Sequence, residues 1–224
     1  MALYALGDLH LSLNSNKSME IFGDGWQDYV SRLKEAFSAL RPEDVTVLCG
    51  DLSWGMSLEE SLEDFRFIDA LPGKKYLLKG NHDYWWNTAA KMERFFREHE
   101  LTTMEILHNN CKFYGELALC GTRGWFYELD NQGTHDEKVL LREIGRLETS
   151  LKAAGEHEKL VFLHYPPLYQ GYRCPEILRL LKLCCYGHLH GASHRRAIEG
   201  MWDGTEFSLV SADYLKFVPK KICE

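Results

Sequence analysis

Apolar residues fall along the chain in short dense runs separated by longer amphipathic stretches. "ALYALG" predicts a strand, "DVTVLCG" a buried strand and "KKYLLKG" a third. Between them, Trp26 to Leu40 carries apolar residues at helical spacing through Tyr29, Leu33, Phe37 and Leu40. Leu58 to Leu71 predicts a helix stopped by Pro72-Gly73, and Trp86 to Glu98 another. "MEILHNN" and "CKFYGELALCG" predict strands joined through a turn. Thr134 to Ala154 predicts a long charged helix, "KLVFLHY" a strand, Pro175 to Leu181 a short helix and "LKLCCYG" a strand. The last stretch, "SHRRAIEGMWDGTEFSLVSADYLKF", predicts a hairpin with Gly200 and Gly204 near its turn.

Strands alternating with helices imply mixed α/β layers with crossover connections. No repeat, low-complexity segment or Pro/Gly-rich linker interrupts the pattern, which predicts one domain over 1–224. In such sheets ligands bind beyond the carboxyl ends of the strands. Five predicted strands end in polar residues: Gly7-Asp8-Leu9-His10, Gly50-Asp51, Gly80-Asn81-His82-Asp83, His164-Tyr165-Pro166-Pro167 and Gly187-His188-Leu189-His190. Any one of them reads most simply as a turn, a helix cap or a histidine satisfied by a backbone carbonyl. Together they bring two carboxylates, one carboxamide and four imidazoles to one sheet edge. Without ions the carboxylates would repel and the imidazoles would lack partners. Two divalent cations give each group a role, with Asp51 the natural bridge because its strand lies between the others. Mixed oxygen and nitrogen donors without thiolate suit Mn, Fe, Zn, Co or Ni over Ca or Mg.

Composition narrows the partners. The net charge of −7 and the lack of an obvious basic patch disfavour nucleic acid. Seven cysteines, odd in number, without a CxxC pair and several within apolar runs, read as buried free thiols of a reducing compartment. "MALYALGDLH" lacks a basic lead and reaches Asp8 too early for a signal peptide, and no apolar run has membrane-spanning length. The expectation is a cytoplasmic protein acting away from membranes, of undefined oligomeric state.

The ordered blocks "GDLH", "GDLS", "GNHD", "LHYPP" and "GHLH" resemble those of the calcineurin-like metallophosphoesterase superfamily, and they span residues 7 to 190. "GNHDYWW", "CGTRGW" and "LVSADYL" are similar to a bacterial branch of predicted phosphohydrolases. The resemblance implies an α/β fold of the α+β type, a four-layer, two-sheet β-sandwich flanked by helices. It implies that Asp8, His10 and His190 hold one transition-metal ion, that Asn81, His164 and His188 hold a second, and that Asp51 bridges them. Mn, Fe and Zn are the expected ions. His82 is then left to face the substrate phosphate. The implied activity is hydrolysis of a small phosphate mono- or diester by in-line attack of a metal-bridging hydroxide, with His82 protonating the leaving group. A non-catalytic scaffold on the same fold is the alternative. HxH-type amidohydrolases and metallo-β-lactamases fit less well, since DxH stands on the first strand and "GHLHGASH" lacks the aspartate of HxHxDH.

Other residues carry weaker expectations. Asp83 reads as a helix cap or as a group orienting a neighbour. Trp54, Trp85 and Trp86 read as core or as walls of the site. Arg123 reads either as a phosphate clamp or as a surface ion pair. Tyr165 and Tyr169 could touch substrate, and Asp213 and Tyr214 could approach the site without a defined role. His99, His108, His135, His157 and His194 read as solvated.

Overall fold

The computed structural model describes residues 1–14, 17–125 and 134–224, the side chains of 134–136 excepted. In chain order the strands are β1 (Leu3–Leu6), β2 (Val45–Leu48), β3 (Lys74–Leu77), β4 (Met104–Ile106), β5 (Cys111–Tyr114), β6 (Leu117–Thr122), β7 (Glu158–Leu163), β8 (Leu168–Tyr169), β9 (Tyr172–Arg173), β10 (Leu183–Tyr186), β11 (Gly200–Trp202), β12 (Thr205–Leu209) and β13 (Lys220–Cys223). The helices are α1 (Tyr29–Phe37), α2 (Leu62–Ala70), α3 (Ala89–Glu98), α4 (Thr134–Ala153) and α5 (Pro175–Leu178).

Two large mixed sheets result. One runs β13-β1-β2-β3-β4, with β1 to β4 parallel and β13 antiparallel at the edge. The other runs β11-β12-β10-β7-β6-β5, four parallel strands between antiparallel edges. Strand periodicity explains why the central runs are apolar throughout. Leu3, Ala5, Val45, Val47, Leu160 and Phe162 point into a core shared by the sheets. The alternate positions Leu6, Leu48 and Leu77 meet Leu33 and Phe37 of α1, Phe65 and Ile68 of α2 and Phe95 of α3. On the other sheet, Val161, Leu163 and Tyr186 meet Ile144 and Leu147 of α4 and Ile177 of α5. Each fully buried Leu or Phe stabilises by about 1.5–3 kcal/mol. The arrangement is the helix-flanked two-sheet sandwich.

Several elements differ from expectation. β4 and β5 do not pair: β4 closes the first sheet, Leu107 passes through the shared core, and β5 opens the second. "CKFYGELALCG" is itself the β5–β6 hairpin, tightened at Gly115 with φ of 55°. α1 starts at Tyr29 because Gly23 and Gly25 break the chain into 3₁₀ turns around Trp26. α2 starts at Leu62, although Leu58 is buried in the turn before it. α3 starts at Ala89, where the Thr88 side chain accepts from Lys91 N, so Asp83 is not its cap. α5 ends at Leu178. The β11–β12 hairpin forms, and β13 follows it unforeseen. All seven cysteines are free thiols, five of them buried. Among the described residues no helix is long and apolar enough to cross a membrane.

Candidate metal centre

The parallel strands of both sheets deliver their C-terminal residues to one edge. Backbone bonds stitch the loops there: Asp8 N donates to Gly50 O at 2.8 Å, His10 N to Asp51 O at 2.9 Å, Gly187 N to His164 O at 3.0 Å and Ala212 N to Gly7 O at 3.0 Å. Asp8, His10, Asp51 and His188 take left-handed backbone conformations, with φ of 60°, 45°, 53° and 72°. Such geometry costs of order 1–3 kcal/mol per non-glycine residue and persists only where surrounding contacts enforce it. The preceding glycines answer to close approach. A Cβ on Gly80 would stand 2.0 Å from Asp51 Oδ1, and one on Gly187 2.4 Å from Asp8 Oδ2.

Asp83 ties two loops together. Its buried carboxylate accepts from Asp51 N at 2.9 Å, Leu52 N at 2.8 Å, Gly80 N at 2.7 Å and the Trp85 indole at 3.1 Å. One side chain thereby sets Asp51 against the Gly80-Asn81-His82 turn, and His82 N in turn donates to Asp51 Oδ1 at 2.7 Å.

The potential donor atoms converge. His10 Nε2 stands 3.3 Å from His190 Nε2 and 3.7 Å from Asp51 Oδ2. His190 Nε2 stands 3.4 Å from Asp8 Oδ1, and His164 Nε2 3.6 Å from Asp51 Oδ2. Asn81 Oδ1 is faced by His164 Nε2 at 2.7 Å and His188 Nδ1 at 2.9 Å. Asp8, Asp51 and His164 are at most 1% exposed. Asp8, His10 and His190 form one group able to hold a cation; Asp8, Asp51 and His164 form another. Bonds of about 2.1 Å to a transition metal put adjacent ligands about 3 Å apart, the range seen here.

Tautomers support the same use. His164 Nδ1 meets Cys49 O at 3.0 Å, so it carries the proton and leaves Nε2 as a lone pair aimed at Asn81 Oδ1. His190 Nδ1 meets Asp213 Oδ1 at 3.0 Å, which leaves its Nε2 for an ion. Burial pushes His10 and His188 down to about 3, and it lowers His164 as well, so these rings are neutral donors. Burial and then the Asp8 charge push Asp51 up to about 8. Burial resists charge on Asp8 too, but His190, His164 and His10 around it hold its carboxyl below the usual range. Without cations the two carboxylates cannot both be comfortably ionised, and the donor chemistry fits two ions.

The remaining expected residues take varied places. The half-buried His82 ring lies 4.6 Å from the Trp54 ring and 5.7 Å from that of His10, and its buried Nδ1 has no hydrogen-bond partner among the described residues. Trp54 stacks on His10 at 5.1 Å, so it walls the cluster. Trp85 is fully buried against Phe65 and belongs to the core. Tyr165, 6% exposed, packs its ring 4.2 Å from that of His188. Tyr169 stacks on Tyr172 at 5.2 Å. Arg123 has no ion pair among the described residues: its backbone carbonyl accepts from His164 N and Tyr165 N at 3.2 and 3.0 Å, while its side chain lies over Trp125 and lines a cavity. Two histidines expected to be solvated are enclosed. His108 is pushed down to about 4, by burial and then by Arg146, Lys79 and Arg123, and His194 Nε2 lies 3.2 Å from Asp213 Oδ2. The His135 side chain lies outside the described residues.

Sequence reasoning left Asp213 without a role. Its signal was position, since it follows β12 as the other polar groups follow their strands. Trp26 and Tyr29 were assigned to a helix face, yet Trp26 meets His10 edge-on at 5.9 Å and the Tyr29 hydroxyl donates to His10 O at 3.0 Å.

Residues 1–192 match the calcineurin-like phosphoesterase family profile, and the chain belongs to that family. Solved structures share the fold at low identity. A protein of unknown function, AQ665 from Aquifex aeolicus, is 17% identical at TM-score 0.51, covering 98% of this chain and 95% of its own. Phosphopantetheinyl hydrolase (PptH) from Mycobacterium tuberculosis is 14% identical at TM-score 0.55, with 99% and 95% covered. TT1561 of Thermus thermophilus is 13% identical at TM-score 0.58, with 99% and 97% covered. No curated protein sequence matches the chain.

Proposed function

We propose that residues 1–224 form one catalytic domain that holds two transition-metal ions, Mn, Fe or Zn, and hydrolyses a small phosphate mono- or diester. The carrying observation is the convergence of seven donor side chains from five strand ends at separations between 2.7 and 3.7 Å. Asp8, His10 and His190 would hold one ion and Asn81, His164 and His188 the other, with Asp51, which faces both His10 and His164, between them. Bound there, the ions supply a lowered water pKa and positive charge for the phosphoryl oxygens.

The chain's own residues do the rest. Cys49 O and the Asp213 carboxylate fix the tautomers of His164 and His190. Trp54 covers His10 and His82 and limits water at that wall. His82 hands a proton to the departing ester oxygen, the one step for which a titratable side chain beside the donors remains uncommitted. Trp54 and the exposed Tyr84, whose ring lies 6.1 Å from that of His82, are the substrate contacts on this side. Seven free thiols fit a reducing compartment.

The test is metal analysis of the purified full chain, then hydrolysis of p-nitrophenyl phosphate and bis-p-nitrophenyl phosphate under Mn, Fe, Co, Ni and Zn. Two bound ions per chain and metal-dependent turnover are expected. A chain that loads ions and hydrolyses neither ester would instead be the scaffold alternative.

A further inference from the structure

A cavity of about 590 Å³ is lined by residues that include none of the seven donors. Lys79, Arg123, Arg146 and His108 line it, and among the described residues no aspartate or glutamate does. No basic patch was expected in a chain of net charge −7, and three permanent cations here share one space. A carboxylate beside the cavity is already engaged: buried Glu143 pairs with Arg146 and accepts from Gly124 N at 3.1 Å. Two buried nitrogens, Arg123 Nε and His108 Nδ1, have no hydrogen-bond partner among the described residues. Asn87, Thr88 and Ala89 add the N-terminus of α3, and Trp86, Met92 and Ile106 an apolar wall.

Three like charges that share one paired carboxylate, Glu143, still repel, and an anion in their midst offsets that cost. Guanidinium groups match tetrahedral oxyanions through paired N–H bonds. The cavity is also close to the donor cluster. Lys79 precedes Asn81 by two residues, so their Cα atoms are at most about 7.6 Å apart. The Arg123 carbonyl accepts from His164 N at 3.2 Å.

We propose that this cavity is a subsite for a phosphate-class anion other than the phosphate undergoing hydrolysis. Its source is either a second phosphate on the substrate, which rests on the phosphoesterase reading above, or free inorganic phosphate, which does not.

The test begins with the full chain stripped of metal by a chelator and titrated with inorganic phosphate in a calorimeter. Saturable binding is expected, weakened tenfold or more by Arg123→Gln and by Lys79→Gln, with folding of each variant checked by thermal unfolding. Asp8→Asn, in the donor cluster, should retain wild-type phosphate affinity. No saturable binding, or wild-type affinity in both cavity variants, overturns the subsite. A second arm uses the metal-loaded chain and pairs of phosphomonoesters that differ by one additional phosphate. A KM lower by tenfold or more for the bisphosphate, with that advantage gone in Arg123→Gln, assigns the site to substrate. Equal KM values, with inorganic phosphate acting other than competitively, assign it to free phosphate. A chain that hydrolyses no ester refutes the phosphoesterase reading, and the titration still decides the subsite.

Discussion

The donor cluster and the cavity beside Lys79 are both crowded with polar groups that cannot satisfy one another, and they are crowded with opposite sign. In the cluster, Asp8 and Asp51 are almost wholly buried beside His10, His164 and His188, which burial keeps neutral. Against the effect of burial, the Asp8 and Asp213 carboxylates raise His190, also beside them, to about 10. Asp51 is pushed up to about 8 by burial and then by the neighbouring Asp8 carboxylate. In the cavity, His108 is pushed down to about 4 because burial is joined by the fields of Arg146, Lys79 and Arg123. Each region is unfavourable as protein alone, and each becomes favourable with a counter-ion of the opposite charge. Ordinary salt bridges of this chain, such as exposed Arg66 with Glu63 at 2.6 Å, show no such imbalance and contribute little.

Removing the charge at the middle of the cluster should produce the largest effect. Asp51→Asn is expected to lose at least one ion and to lower kcat/KM by about 10⁴-fold or more, several kcal/mol of lost charge stabilisation. Metal content and turnover read this together, and full metal content with near-normal turnover would break the cluster half of the comparison. His82→Ala should keep both ions and lose about 10²–10⁴-fold in turnover, mostly for poor leaving groups. Equal loss for good and poor leaving groups would remove the proton-donor role. Asp213→Asn should weaken metal affinity by about 10–100-fold, because the His190 tautomer is no longer enforced. A metal titration that matches the wild type would show that Asp213 does not orient His190.

The smallest effect sharpens the cavity half. The imidazole of His108 has a folded-state pKa of about 4, below its unfolded value of 6.5, so the unfolded chain binds more protons between those values. Stability gained from this group is therefore complete above about pH 6.5 and is lost as pH falls toward 4. NMR titration of His108 should give this low value without phosphate and a higher one with it. A His108 that titrates near its ordinary value in the absence of phosphate would contradict the crowding.

What could be read from the chain differs between these regions for a physical reason. Asp8, Asp51, Asn81, His164 and His188 each stand within three residues of the end of an apolar run, four of the five with a glycine immediately ahead, so strand-end position exposed the cluster. The cavity draws Lys79, His108, Arg123 and Arg146 from separated points of an acidic chain, and no local pattern joins them. The sheets were legible where strands are buried on both faces. β13 was not, since Lys220–Cys223 is a partly exposed edge strand of two lysines followed by two apolar residues, without the alternation of a strand, and is placed by pairing with β1. Helix starts shifted inward where glycine turns or a threonine cap intervened. The Asp83 hub was invisible as such, because two of its partners, Asp51 N and Leu52 N, are backbone groups 32 and 31 residues upstream in the chain.

That hub sets an order of events. Asp83 holds Asp51, Leu52 and Gly80 through main-chain donors and uses no metal to do so. The two loops should therefore take up their positions when the polypeptide folds, with or without ions. In deuterated solvent the amides of Asp51, Leu52 and Gly80 should exchange as slowly in chelator-treated protein as in loaded protein. Ion uptake would then proceed at the pace of ligand exchange from water rather than of chain rearrangement.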